Sequence, residues 1–572
     1  MPIYGRINTA SVPLTPLNCA VSNTMDNANG PCDQIVQIAL TDKRLLLPGE
    51  QQPWVSCNNR PSSACQLARG AALDPFDALP IRMPFKSKEL FHYFYQFGHS
   101  LKIVKTNQAE DCLTLAVNDP HALRNTLLIA GLHYSWNTGD LQVFDSAFFF
   151  HKVETIRTVN KLLGNASPKL AVLCISQICT LCYTEACLGN VAVAETHLDG
   201  LMTFLDAMEQ QNPAVLSGDD ADSEHARRYL LITYNFVHNI KSRLRAFILA
   251  SASASASMSE SAQPPSPEDD PSAADALDRM HEWHQIEYLG LENRLKALRV
   301  LPSFICPAPS AGPPKRFDAS TVLQGLRDVT AGIDKRDIDP TGNKMWNEGA
   351  PNRLFVALVN HHAQSFSNEH TTTKPSGSKG GSRSRETANT NPTSTSTTNL
   401  LTTWSGITAV MGLYMHSVLS TTNNGDPLDP RLLRRVALEV ERDVEGYPYG
   451  TKGSSSSITT STSGHDLWLW KAFVTAIALA KNREHFAKQK RKTIWSSPVP
   501  HAGVAKEKHG RDLPSILERM EDRVRRWSKD TGVAGWAEAK AALARVVWPA
   551  DSSGLEEREF EGVWGVVKIG GE

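Results

Sequence analysis

The chain has 572 residues, enough to bury a large core, and its 59 basic and 60 acidic residues leave a formal net charge of −1. That balance excludes a general attraction to nucleic acid or anionic membrane, so any such contact needs a local patch. Ten cysteines in this length do not make a disulfide scaffold, and MPIYGRINTASVPL has no signal-peptide core, so the reading is a reduced, intracellular protein without a membrane span.

Residues 1–73 mix Pro, Asn, Ser and Thr with no sustained period and read as irregular. From residue 74 helical signals dominate. Asp119-Pro120 pairs a cap with proline at the first helical position and predicts a helix through Trp136. Residues 140–163 follow, with Phe149, Val153, Ile156, Val159 and Leu163 as the expected buried stripe and Gly164 as the stop. The next helix spans 168–188, between Ser167-Pro168 and a left-handed stop at Gly189. Over 190–209, Val191, Ala194, Leu198, Leu201, Leu205 and Met208 alternate steps of three and four. A longer helix, 224–250, is expected to bury Leu230, Tyr234, Val237, Leu244 and Phe247. The short links between these helices imply antiparallel neighbours.

Three low-complexity stretches then interrupt the pattern, at 251–272, 367–399 and 451–464. Rich in Ser, Thr, Gly or Pro and poor in apolar residues, they are expected to be disordered inserts. Helices are predicted at 273–298, at 351–366, and through Trp404, Ile407, Met411, Tyr414 and Val418. After the third insert Asp466 is the expected cap of a helix with Leu467, Trp470, Val474 and Ile477 inside and enough other apolar residues to be buried nearly all round. No stretch of 74–495 alternates as a strand would, and no repeat of solenoid length recurs. The expected fold is all-α: stacked antiparallel helices in one large body over 74–495, with 496–572 as a C-terminal extension of short helices.

Chemistry is harder to find. In CISQICTLCYTEAC, Cys174, Cys179, Cys182 and Cys187 would point about 0°, 140°, 80° and 220° around one helix. One metal cannot reach all four, so they read as small apolar core residues. There is no phosphate-binding GxxxxGK[ST], no GxSxG and no GxGxxG after a strand. HEWHQIE brings His281, His284 and either Glu287 or Tyr288 near one face, but the spacing departs from HExxH, and a solvated face is the plainer reading. His361 and His362 read as polar residues at a helix end. Asp334, Asp337 and Asp339 lie beside Lys335 and Arg336 and read as a solvated loop. No constellation commits to an enzyme, and no cofactor or metal is expected. A metal-dependent enzyme using HEWHQIE is the third reading of function. KNREHFAKQKRK, 481–492, carries six basic residues and one acid. Its dense part, Lys488, Lys490, Arg491 and Lys492, is either a nuclear-localisation or nucleic-acid contact, or a solvated helix end whose cations complement the macrodipole.

Four stretches, in order, carry a resemblance. They are DPFDALPIRM at 74–83 with the aromatic LFHYFYQF after it, NDPHALRNTLLIAGLHYSW, VAVAETHLDGLMTFLDAM, and HDLWLWKAFVTAIALAKNREHF. In the third, Ala194, His197, Leu198, Gly200 and Leu201 match an Ala-x-x-His-Leu-x-Gly-Leu pattern. Together they resemble the fungal-specific transcription factor domain, the helical regulatory region found C-terminal to Zn₂Cys₆ clusters in fungal regulators. The resemblance implies a nuclear regulator of transcription with protein partners, one of them a DNA-binding regulator, and with room for a small-molecule effector. The departure is in the DNA reader. CxxCx₆C and its second half are missing, and Cys19, Cys32, Cys57 and Cys65 stand at wrong spacings for six thiolates to share two zinc ions. Direct DNA binding is therefore not expected, unless a cluster lies in sequence upstream of Met1. The runner-up is a cytosolic helical scaffold with no link to transcription.

Overall fold

The computed structural model of the chain describes residues 79–100, 116–163, 168–211, 221–256, 295, 297–305, 316–334, 350–365, 400–421, 427–446, 462–493, 512–550 and 554–569. The architecture is all-α. Among the described residues it opens with α1 (Ser87–Ser100), α2 (Pro120–Thr138), α3 (Asp145–Leu163), α4 (Pro168–Cys187), α5 (Val191–Gln211) and α6 (Ala221–Ala256). Local chemistry sets their ends. Asp119 Oδ1 accepts from the backbone N–H groups of His121 at 2.8 Å and Ala122 at 2.7 Å, and Pro120 fills a position that needs no N–H. Gly189 closes α4 at φ 82, and the Asn190 N–H donates back to the Glu185 carbonyl at 2.9 Å.

α4 lies at the centre of this half, in contact with α2, α3, α5 and α6. That position explains why it is apolar on every side. Among the described residues it is the one helix, over Lys169–Cys187, with the length and hydropathy to cross a membrane, and here helices surround it.

The second half comprises a 3₁₀ turn at Leu301–Phe304, α7 (Ser320–Asp334), α8 (Ala350–Ser365), α9 (Trp404–Ser417), α10 (Pro430–Glu445), α11 (Thr462–Thr493), α12 (Leu513–Thr531), α13 (Trp536–Val546) and α14 (Gly554–Ile569). α11 is its pivot and touches α9, α10, α12, α13 and α14. One hydrophobic core joins both halves, from Leu90 on α1 to Trp564 on α14.

Several boundaries differ from the sequence reading. Strand pairing exists: β1 (Phe317–Asp318) runs antiparallel to β2 (Leu401–Thr402), with Phe317 opposite Thr402. Two residues per strand are too few to show alternation. α6 continues to Ala256 and so takes in the first residues of the insert expected at 251–272, because Ser and Ala are tolerated in a helix. The rest of that insert and all of 367–399 lie outside the described residues, as does most of the helix expected at 273–298, while the last residues of the insert expected at 451–464 form the start of a helix from Thr462. α11 begins at Thr462, so Asp466 is inside the helix and does not cap it; it accepts from Arg545 at 2.6 and 2.9 Å.

On α3 the predicted stripe holds in its second half, where Val159 is buried and Ile156 and Leu163 pack against the core, but not in its first: Phe149 and Val153 are 52% and 43% exposed, whereas Phe148, His151, Thr155 and Leu162 are buried. Two polar residues belong to the inner face because each has a partner there. His151 Nε2 bonds Ser87 Oγ at 2.9 Å, and Thr155 Oγ1 donates to the His151 carbonyl. Residues 496–572, read as an extension, supply α12–α14. Trp548 and Trp564 pack against Phe473 of α11, tilted and edge-on, both with ring centres 5.9 Å away, and Phe560 sits 5.3 Å from Trp548.

Candidate functional site

None of the four cysteines of α4 is in a disulfide, and all are buried. Burial pushes the Cys174 thiol up to about 12 and raises those of Cys179 and Cys182 further. Thiols held protonated are poor nucleophiles and poor ligands. Among the described residues no three His, Cys, Asp or Glu side chains gather to hold a metal. His281, His284, Glu287, Tyr288, Asp337 and Asp339 lie outside the described residues, and Asp334 is the last residue of α7.

The basic cluster falls on α11. Up to Asn482 that helix is buried nearly all round, as its composition predicts. Lys481 marks the exit, paired with Glu559 at 3.2 Å and lying 5.3 Å from the Phe560 ring centre. The backbone stays helical through Lys488, Lys490, Arg491 and Lys492 to Thr493. Their cations thus belong to the last turns of a long helix, where its dipole favours positive charge.

Two polar centres inside the core escaped the sequence reading. The first joins α6, α8, α9, α10 and the 3₁₀ turn. Arg228, fully buried, donates from Nε to Glu224 Oε1 at 2.7 Å and from Nη1 to Ser365 Oγ at 2.5 Å. Arg227 Nη2 takes Glu224 Oε2 at 2.8 Å, and Ser405 Oγ donates to Glu224 Oε1 at 2.7 Å. Burial raises the Glu224 pKa, but the Arg228 and Arg227 charges outweigh it and hold the carboxyl below its ordinary value. His362, expected as a polar residue at a helix end, is buried there: it stacks on Phe304 with ring centres 3.6 Å apart and bonds the Ser303 carbonyl at 3.2 Å. The reason is Trp404 and Phe304, which enclose the C-terminal turns of α8 in aromatic surface. His361 lies nearer the rim, 4.8 Å from the Phe317 ring. Burial and the Arg228 charge push His225 down to about 4, and burial with its two neighbours His225 and Arg228 keeps His362 well below the usual imidazole range. Ser405 donates to a carboxylate that Arg228 and Arg227 hold ionised, a weaker base than an imidazole.

The second centre is the pair Asp443 and Lys471, both buried. Lys471 Nζ reaches Asp443 Oδ2 at 2.5 Å and Thr402 Oγ1 at 2.6 Å; Thr402 Oγ1 donates to Asp443 Oδ2 and the Thr403 N–H to Oδ1, each at 2.9 Å. Burial raises the Asp443 pKa, and Lys471 with these donors brings it below the ordinary carboxylate value. The helices meet so closely that a Cβ on Gly406 would lie 2.4 Å from Asp443 Cβ. The signal for both centres was present as charge inside apolar runs: Lys471 in LWLWKAFV and Glu224 with Arg228 at i, i+4 ahead of YLLITY.

α10 turns arginines toward α5: Arg431 to Asp199 at 2.5 Å, Arg434 to Glu209 at 3.0 Å and Arg435 to Asp206 at 2.8 Å. Its Glu441 faces α12, where Arg519 and Arg523 reach it at 2.6 and 2.9 Å. Apolar side chains stand out beside α3, where Phe149 and Val153 share a face, Lys152 lies 5.8 Å from the Phe149 ring, and the exposed Phe85 meets Phe150 edge-on at 6.2 Å. Set against protein-family models, curated proteins and solved structures, the chain matches none.

Proposed function

We propose that the chain is a nuclear regulator of transcription that works through protein contacts, with no zinc-cluster DNA reader in this sequence and no catalytic role. One observation carries the reading: the ordered resemblance of DPFDALP, NDPHALRNTLL, VAVAETHLDGL and HDLWLWKAF to the fungal-specific transcription factor domain. Three of the four stretches lie on α2, α5 and α11, and in the third Ala194, His197, Leu198 and Leu201 are buried, as residues kept for packing would be. The basic turns of α11 give nuclear import a handle, and a DNA-binding regulator is the partner proposed.

A fluorescent fusion of the full chain tests this. It is expected to enter nuclei, and the variant with Lys488, Lys490, Arg491 and Lys492 all changed to Ala is expected to stay cytosolic. A cytosolic intact fusion, together with unchanged transcript profiles on gene deletion, would replace this reading with the cytosolic scaffold.

A further inference from the structure

Among the described residues Arg299 is a cation without an anion. It lies in the helical residues just before the Leu301–Phe304 turn, with its guanidinium carbon 4.3 Å from the Phe94 ring centre on α1. Its Nη1 is closed off from solvent and makes no hydrogen bond. Other arginines drawn into this fold meet acids: Arg228 and Arg227 share Glu224, and Arg431 takes Asp429 and Asp199. The groups acting on Arg299 are instead two phenols, Tyr93 and Tyr95. Tyr93 is engaged with His133 Nδ1 at 3.0 Å, and burial holds that imidazole neutral. Nothing of negative sign among the described residues balances the guanidinium. Burial draws its pKa down to about 9, which leaves it charged at neutral pH.

A guanidinium withdrawn from water and unpaired is a costly arrangement that a bound anion relieves. Its planar fork fits a carboxylate better than a spherical ion. The residue as a whole keeps part of its surface in water. We propose that Arg299 anchors a binding site for a small organic carboxylate, set between α1, α2 and the 3₁₀ turn, with Phe94 beneath the guanidinium. The site does not depend on the cellular role proposed above.

The test is thermal unfolding of the purified full chain at neutral pH with acetate, benzoate, citrate or inorganic phosphate, each against chloride at matched ionic strength. At least one carboxylate is expected to raise Tm in a concentration-dependent way, as a ligand of the native state does. Arg299→Met is expected to abolish that rise, and Arg299→Lys, which keeps the charge and loses the fork, to reduce it. Should Arg299→Met fail to fold, the Lys variant carries the test alone. The proposal is overturned if none of the three carboxylates shifts Tm beyond chloride, if phosphate alone does so, or if the variants shift as far as the parent.

Discussion

Lys471 and Arg299 are both cations withdrawn from water, and they differ in what faces them. Lys471 is enclosed by Asp443 and Thr402, with every oxygen of the carboxylate also engaged. Arg299 has an aromatic ring, two phenols and an Nη1 with no acceptor. A closed network of that kind ties helices together and leaves no valence for a ligand; an open one keeps a charge in reserve. The contrast separates structural polarity from candidate binding polarity in a molecule whose interior contains both.

The largest effect is expected where the closed network is cut. Asp443→Ala strands Lys471 and should cost about 3–5 kcal/mol in urea unfolding, whereas replacing Asp443 and Lys471 together by apolar residues should cost much less. A single-variant loss below about 1 kcal/mol would remove the distinction from Arg299.

Acid probes a third solution, in which buried groups stay neutral. The folded pKa of His225 is drawn down to about 4, while the unfolded chain keeps the ordinary value near ~6.5. The unfolded state therefore takes the proton first, and stability falls as pH drops from about 6.5 toward 4, by about 1.4 kcal/mol per pH unit for this one residue. His225→Gln should flatten that part of the slope, read from urea midpoints across the range; an unchanged slope would mean the folded imidazole titrates normally.

Smaller effects come at the surface. Arg434 pairs with Glu209 and Asp512, which are 32% and 56% exposed. Arg434→Ala should cost about 0.5 kcal/mol, and less at high salt. A loss several times larger would show that the α5–α10 charges act as one network with the buried ones.

The helical body was legible wherever the information is local. The Asp119-Pro120 start, the Gly189 stop and the burial of the α4 cysteines all follow from residues a few positions apart. What was missed depends on partners far along the chain. Hydropathy put Phe149 and Val153 inside, but His151 and Thr155 took that face because Ser87 was there to receive the imidazole. Asp466 looked like a cap and serves Arg545 instead. Glu224 meets Ser405, and Arg299 meets Phe94, at separations no periodicity spans. The candidate sites therefore divide: the basic turns of α11 could be read from composition, while Arg299 became visible only through the acid it does not have.

The last three helices also bear on how the gene tolerates truncation. α12, α13 and α14 roof the flank of α11, where Phe473 meets Trp548 and Trp564. A premature stop in the segment after Thr493 would strip that roof and leave a broad aromatic surface bare to water. Such a product should be adhesive and quickly cleared by the cell's quality control rather than a shortened protein that still works.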